Sequence, residues 1–148
     1  QTVHHDIWDY DIPAQPVLAD FPKDGALVPA VIQPTKQGQI FVLDRRTGEP
    51  LTRVEERAVP QGAVAGERTS PTQPFSVEMP SFGPPRITDA DLWGLTPFDR
   101  AWCRRELGKY RNEGIFTPPS PQGTLVFPNN MGAMSWGSVA VSSCMGRQ

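Results

Sequence analysis

The stretch ALVPAVIQPTKQGQIFVLDRRTGEP, residues 26–50, decides the fold. ALVPAVIQPT is rich in β-formers, TKQG makes a turn, and QIFVLD runs as a second strand. RRTGEP makes the next turn, with Gly48 supplying the positive φ that such turns favour. LTRV, at 51–54, reads as a third strand. Short strands joined by tight turns predict an antiparallel meander. Pro29 lacks an N–H, so it marks the first strand as an edge or as the place of a bulge.

Working toward the C-terminus, residues 55–87 show no periodicity and hold six prolines. They read as a long loop, functional or packed on a neighbour, because Phe75, Met79 and Phe82 need cover. Residues 88–114 read as a helical insert. Thr88 caps a short turn, and Thr96, Pro97 and Asp99 are an N-cap, a first helical position and a third, predicting a helix over 97–111. Phe98 and Trp102 share one face of it, and Asn112 or Gly114 ends it. Residues 115–141 return to strands, GTLVFP and SWGSVAV, around a turn at NNMGAM. Residues 142–148 are an atypical tail.

Working toward the N-terminus, TVHHDIWDYDIPAQP (2–16) crowds His4, His5, Asp6, Asp9 and Asp11 around Trp8 and Tyr10. A metal site needs three or four converging ligands, and this spacing matches no tight metal motif. In an extended chain Asp9 and Asp11 share a face and Asp6 points away. The segment is either a solvated loop pinned by its rings or a catalytic one. In the second case an aspartate beside Trp8 acts as general base, its carboxyl tuned by partial exclusion of water. Lys36, in the TKQG turn, is either a solvated lysine or a cationic donor to an oxyanion or quinone carbonyl. Trp136, beside Gly137, is either a core indole or a stacking wall for a flat ligand.

Composition narrows the class. The chain has 148 residues and a net charge of -2, with no basic footprint for nucleic acid. Seventeen Pro and thirteen Gly, together about one fifth of the chain, predict many turns and few long helices. The longest apolar run, at 26–32, is too short to span a bilayer. The chain opens on Gln1 rather than Met and shows no signal-peptide pattern, which predicts that Gln1 is not the native start of the gene product. Cys103 and Cys144 form no CxxC pair and neither demand nor exclude one bridge.

Four motifs, HHDIWDYDIPAQPVL, QPTKQGQIFVLDRRTGEPL, EGIFTPPSPQGTLVFPNNMG and SWGSVAV, resemble the membrane-bound quinoprotein glucose dehydrogenases. Quinate and polyol dehydrogenases are similar. The resemblance runs in order to about Val141. It implies a mainly β fold, about two blades of an eight-bladed β-propeller, with residues 1–54 and 115–141 as blade strands. Leu51 stands near the position of a blade-ending tryptophan, and the tail departs from the family's pattern.

The resemblance also implies chemistry. The cofactor is pyrroloquinoline quinone (PQQ), with calcium or magnesium held by ligands outside this chain, so that no metal ligand is expected here. Asp9 matches the base that takes the proton from the C1 hydroxyl of an aldose while hydride passes to the quinone. Lys36 matches the lysine that contacts the quinone. Electrons then pass to ubiquinone on the periplasmic side of the bacterial inner membrane. His4 and His5 fall near the mouth of the site without a role. The rival class is a non-enzymatic β module for carbohydrate or protein binding. A part-propeller exposes blade faces, with Val28, Val31, Ile40, Val42, Leu125 and Phe127 as candidates, and predicts self-association.

Overall fold

A computed structural model describes residues 1–83 and 86–142. Strands β1 (Val17–Lys23), β2 (Ala26–Pro34) and β3 (Ile40–Asp44) form one antiparallel sheet in that order. Strands β4 (Val54–Ala58) and β5 (Thr72–Ser76) form a second. A 3-10 turn at Asp89–Asp91 precedes the helix α1 (Pro97–Leu107).

The meander read from 26–50 is present, with one strand more at its start. β1 pairs with β2 from Val17↔Ile32 to Lys23↔Ala26, across a two-residue turn. Asp24 (φ 52) and Gly25 (φ 80) both take positive φ, the condition of a hairpin turn whose twist matches the strands. Asp-Gly between apolar runs was the sequence signal for this hairpin. β2 is therefore central, not an edge. Pro29 is tolerated there because its carbonyl accepts from Arg45 N at 3.0 Å. N–H and C=O of one residue point to the same side of an antiparallel strand, so the missing N–H faces the end of β3, where the ladder stops. No bond to β1 is lost.

Alternation then builds the core. Val17, Ala19 and Phe21 of β1 lie across from Ile32, Ala30 and Val28, and Ile32 lies across from Val42. Ala30, Ile32, Ile40, Val42 and Leu51 form the buried cluster, and Met79, Met134 and Val139 pack on it. Val42 is fully buried, a contribution of about 1.5–3 kcal/mol for a side chain of this kind. Phe41, on the other face of β3, is buried too. Ile40, Val42 and Phe127, expected on open blade faces, are thus core residues.

The stretch 51–54 is not a third strand. Leu51 turns inward, and its N–H donates to Val42 O at 2.8 Å. The 55–87 segment is not one long loop, since β4 and β5 pair from Val54↔Ser76 to Ala58↔Thr72. Pro74 and a run of charges hid these strands, which gain order from each other rather than from propensity.

The expected strands at 115–141 are absent: among the described residues the only ladder contact there is the single bridge Arg111↔Thr124. Carbonyls at Ile115, Thr117 and Phe127 accept instead from Tyr10 and Trp8 side chains. NNMG is a turn, as expected, closed by Gly132 N to Asn129 O at 3.0 Å.

The helix starts as read. Thr96 Oγ1 accepts from Asp99 N, and Asp99 Oδ2 accepts from Thr96 N, a capping box with Pro97 at its first position. It ends early, at Leu107 with Gly108 as C-cap, because the next turns serve other bonds: Arg111 N donates to Gly123 O. Phe98 (86 % exposed) and Trp102 (56 %) face outward, and α1 buries no residue. Arg104 ties α1 to the 3-10 turn through Asp89 at 2.6 Å. Cys103 is free, while Cys144 and most of the tail lie outside the described residues.

Candidate functional site

The β2–β3 connection, Thr35–Gln39, is a tight cap. Thr35 N donates to Gln39 O, and Thr35 Oγ1 bonds the same carbonyl at 2.9 Å. Gly38 takes φ +83, and a Cβ there would lie 2.4 Å from the Phe82 carbonyl. These bonds hold Lys36 at the tip, with its side chain only 11 % exposed. The 129–133 turn closes over it. Ala133 N donates to Lys36 O at 2.8 Å, and a Cβ on Gly132 would stand 2.5 Å from Lys36 Cγ.

The N-terminal segment comes to Lys36 from the other side, anchored by its aromatics. Trp8 stacks on Tyr10 (5.9 Å, 14°), and both meet Phe116 edge-on. Trp8 Nε1 donates to Thr117 O at 2.8 Å. The Tyr10 hydroxyl is shared between the Ile115 and Phe127 carbonyls. Burial first, then the Asp6 charge, pushes its pKa well above the ordinary tyrosine range. Asp6 points away from Lys36 and accepts from Trp8 N (2.9 Å) and Tyr10 N (2.7 Å).

That Asx-type cap bends the chain so that Asp9 takes φ 63, a conformation non-glycine residues rarely hold without local cause. The bend turns Asp9 onto Lys36. Lys36 Nζ donates to Asp9 O (2.9 Å), to Asp9 Oδ2 (3.2 Å) and to Asp11 Oδ1. The ammonium is held above its ordinary proton affinity by the bond to Asp11 first, burial opposing, then by Asp9. Asp9 and Asp11 do share a face, and Asp6 does point away, though the bend at Asp9 rather than an extended chain achieves it. Asp9 is 79 % exposed on its side chain, so Trp8 does not exclude water from it in this chain.

The arrangement offers one cation with three acceptors, and an exposed carboxylate whose Oδ1 has no partner among the described residues. Such a set can take a proton from a hydroxyl and stabilise negative charge on a nearby oxygen. Nζ is the donor that would hold a quinone carbonyl oxygen, in exchange for one of its present acceptors. Trp136 is not brought to this cluster by any contact. Trp136 is 87 % exposed and makes no ring contact among the described residues. The turn before it, through Gly132, is what meets Lys36. Asp11 and Gly132 are the site residues that the sequence did not single out. Asp11 was legible only as a same-face neighbour of Asp9.

His4 and His5 serve architecture. His4 pairs with Glu56 at 2.8 Å, and its backbone exchanges two hydrogen bonds with the buried Gln73 side chain. His5 reaches Glu67 at 3.5 Å. Both bind the opening segment to the β4–β5 hairpin and its connection. Among the described residues no group of three or more His, Cys, Asp or Glu is placed to hold a metal ion.

Antiparallel sheets of short strands, with a lysine–carboxylate cluster at a hairpin tip, define a blade-type β protein. The family described as glucose/ethanol/alcohol dehydrogenase, β-propeller domain (PQQ), matches residues 1–147. The chain belongs to this PQQ-dependent dehydrogenase family and is a piece of its β-propeller domain.

Relatives include a quinoprotein glucose dehydrogenase of Escherichia coli (strain K12), 55% identical over 95% of this chain and 18% of its own length. A quinate/shikimate dehydrogenase (quinone) of Acinetobacter baylyi is 49% identical over 94% of this chain and 17% of its own. A glycerol dehydrogenase large subunit of Gluconobacter thailandicus is 48% identical over 95% and 19%. The chain thus spans less than a fifth of these relatives. No solved structure matches it.

Proposed function

We propose that this chain supplies the base and the quinone-contacting lysine of a PQQ-dependent dehydrogenase that oxidises an aldose at C1. The observation that carries the reading is the ion cluster in which Lys36 Nζ holds both Asp9 and Asp11 at the tip of the β2–β3 hairpin. Family membership supports the cofactor. The glucose dehydrogenase relative at 55% supports the sugar, against 49% and 48% for the quinate and glycerol enzymes.

Asp9 Oδ1 accepts the proton of the C1 hydroxyl, and its exposed carboxylate gives the sugar access. Lys36 donates to the oxygen on which charge grows, at a fixed place because the hairpin cap and the 129–133 turn hold its stem. The quinone, when bound, supplies the hydride acceptor. Trp136 is the candidate stacking wall beside it. Calcium or magnesium is held by residues outside this chain. Electrons pass to ubiquinone at the periplasmic side of the inner membrane; among the described residues no helix is long and apolar enough to cross a membrane.

The test uses the intact dehydrogenase that carries this segment, assayed with PQQ, calcium or magnesium and an artificial acceptor on glucose, quinate and glycerol. Glucose should give the highest kcat/KM, and Asp9→Asn should lower kcat by at least about 100-fold with cofactor still bound. Preference for quinate or glycerol moves the substrate to that relative's class. A fully active Asp9→Asn variant removes Asp9 as base.

A further inference from the structure

Lys36 has three N–H donors, as any ammonium has, and all three are engaged: one by the Asp9 carbonyl, one by Asp9 Oδ2 and one by Asp11 Oδ1. A lysine in this state has nothing left to offer a ligand oxygen. To donate to one it must give up a partner, and the choice of partner has a chemical consequence. If it lets go of Asp11 and keeps Asp9, the base stays ion-paired and is a poorer proton acceptor. If it lets go of the Asp9 carboxylate, the base is freed as the lysine turns to its ligand.

We propose that Asp11 is the positioning residue of this site: it keeps hold of Lys36 while the Asp9 carboxylate is exchanged for a ligand oxygen, so that one carboxylate anchors the lysine and the other is released to act as base. The inference rests on the assignment of Lys36 and Asp9 made above.

Three observations favour Asp11 as the retained partner. The Asp9 carboxylate contact is a moderate 3.2 Å and uses only Oδ2, and Asp9 is the more exposed of the two, 79 % against 58 %. Asp9 also holds Nζ through its main-chain carbonyl at 2.9 Å, so the ammonium stays in place when that carboxylate leaves. Two residues on, Asp11 is fixed from behind by Tyr10, whose ring and hydroxyl are locked against Phe116 and the Ile115 and Phe127 carbonyls. The bond to Asp11 is also the largest influence raising the proton affinity of Lys36.

The groups facing Lys36 are few. Asp9 and Asp11 come from the opening segment, and the 129–133 turn on the other side brings Asn129, Asn130, Met131, Gly132 and Ala133, none of them titratable. Tyr10, between the two aspartates, directs its hydroxyl elsewhere.

The test compares Asp11→Asn and Asp11→Glu in the intact dehydrogenase, with Asp9→Asn and Lys36→Ala alongside. Apo protein is titrated with PQQ and followed by tryptophan fluorescence, and kcat/KM is measured across pH. Asp11→Asn should weaken PQQ binding about 10- to 100-fold, because the acceptor that anchors Nζ loses its charge. It should also move the alkaline limb of the kcat/KM profile to lower pH, because the lysine loses its strongest acidic partner. Asp11→Glu, which restores the charge, should recover most of both. A merely structural Asp11 would lower stability but leave the alkaline limb in place. PQQ affinity and alkaline limb unchanged in Asp11→Asn overturn the proposal. So does an Asp11→Glu variant that folds and behaves like Asp11→Asn. The outcome for Asp9→Asn is separate: full activity there refutes the base assignment, while the affinity and the alkaline limb still judge Asp11.

Discussion

Gly132→Ala offers a sharp check on how the site is held. Gly132 has φ +81, and a Cβ there would lie 2.5 Å from Lys36 Cγ, 2.6 Å from Cβ and 2.8 Å from Cα. The last two are anchored on the backbone of the hairpin cap and cannot swing aside. Gly25 is a natural control, with φ +80 and nothing within 4 Å of an added Cβ. Both substitutions carry the same left-handed strain, about 1–2 kcal/mol. Only Gly132→Ala adds an overlap, which costs about 1–3 kcal/mol more by comparison with overpacked interiors.

The 129–133 turn must then lift off Lys36, breaking the 2.8 Å bond from Ala133 N to Lys36 O. Thermal unfolding of the intact dehydrogenase should show Gly132→Ala destabilised beyond Gly25→Ala. Titration with PQQ should show weaker binding for Gly132→Ala alone. Equal losses in the two variants, with PQQ affinity unchanged in both, would refute the claim that the two turns are packed too closely for any side chain.

Tyr10→Phe should cost about 1–3 kcal/mol, since it leaves the buried Phe127 carbonyl and the half-buried Ile115 carbonyl without their donor; urea unfolding reads it. The raised pKa of Tyr10 means that the folded state keeps a proton the unfolded state releases, so stability is full below about pH 10 and falls above it. Absorbance at alkaline pH should show one tyrosine titrating late. Asp44 is held down to about 2, chiefly by the Arg46 side chain, so its contribution is present above the ordinary carboxylate range and lost as pH falls toward 2; Asp44→Asn should flatten that acid limb. The 148-residue chain by itself should show no glucose turnover with PQQ and metal added. It should also associate with rising concentration through the outward Trp93, Leu95, Phe98 and Trp102; light scattering that reports a 16.3 kDa monomer at high concentration refutes this.

Signals that are short in range were legible in the sequence. The hairpin about TKQG, the turn at Gly48 and the capping box at Thr96 each depend on residues within a few positions, and all three formed. The family was legible too, because its motifs are long and ordered, and it pointed to Asp9 and Lys36, 27 residues apart, as one site. What escaped depends on partners. β1 was missed although Asp24-Gly25 announced it, and β4 and β5 are strands only because they meet each other. GTLVFP has the composition of a strand yet pairs only at the single bridge Arg111↔Thr124, and Tyr10 takes the Phe127 carbonyl a longer ladder would use. The outward turn of Phe98 and Trp102 was likewise beyond reach, as their spacing defines a face but not what lies against it. Only the tertiary structure placed three acceptors around one ammonium, made Asp11 a member of the site and pressed Gly132 onto Lys36. Each of those facts is a distance between segments far apart in the chain, and local residue preferences carry no information about such distances until packing brings the segments together.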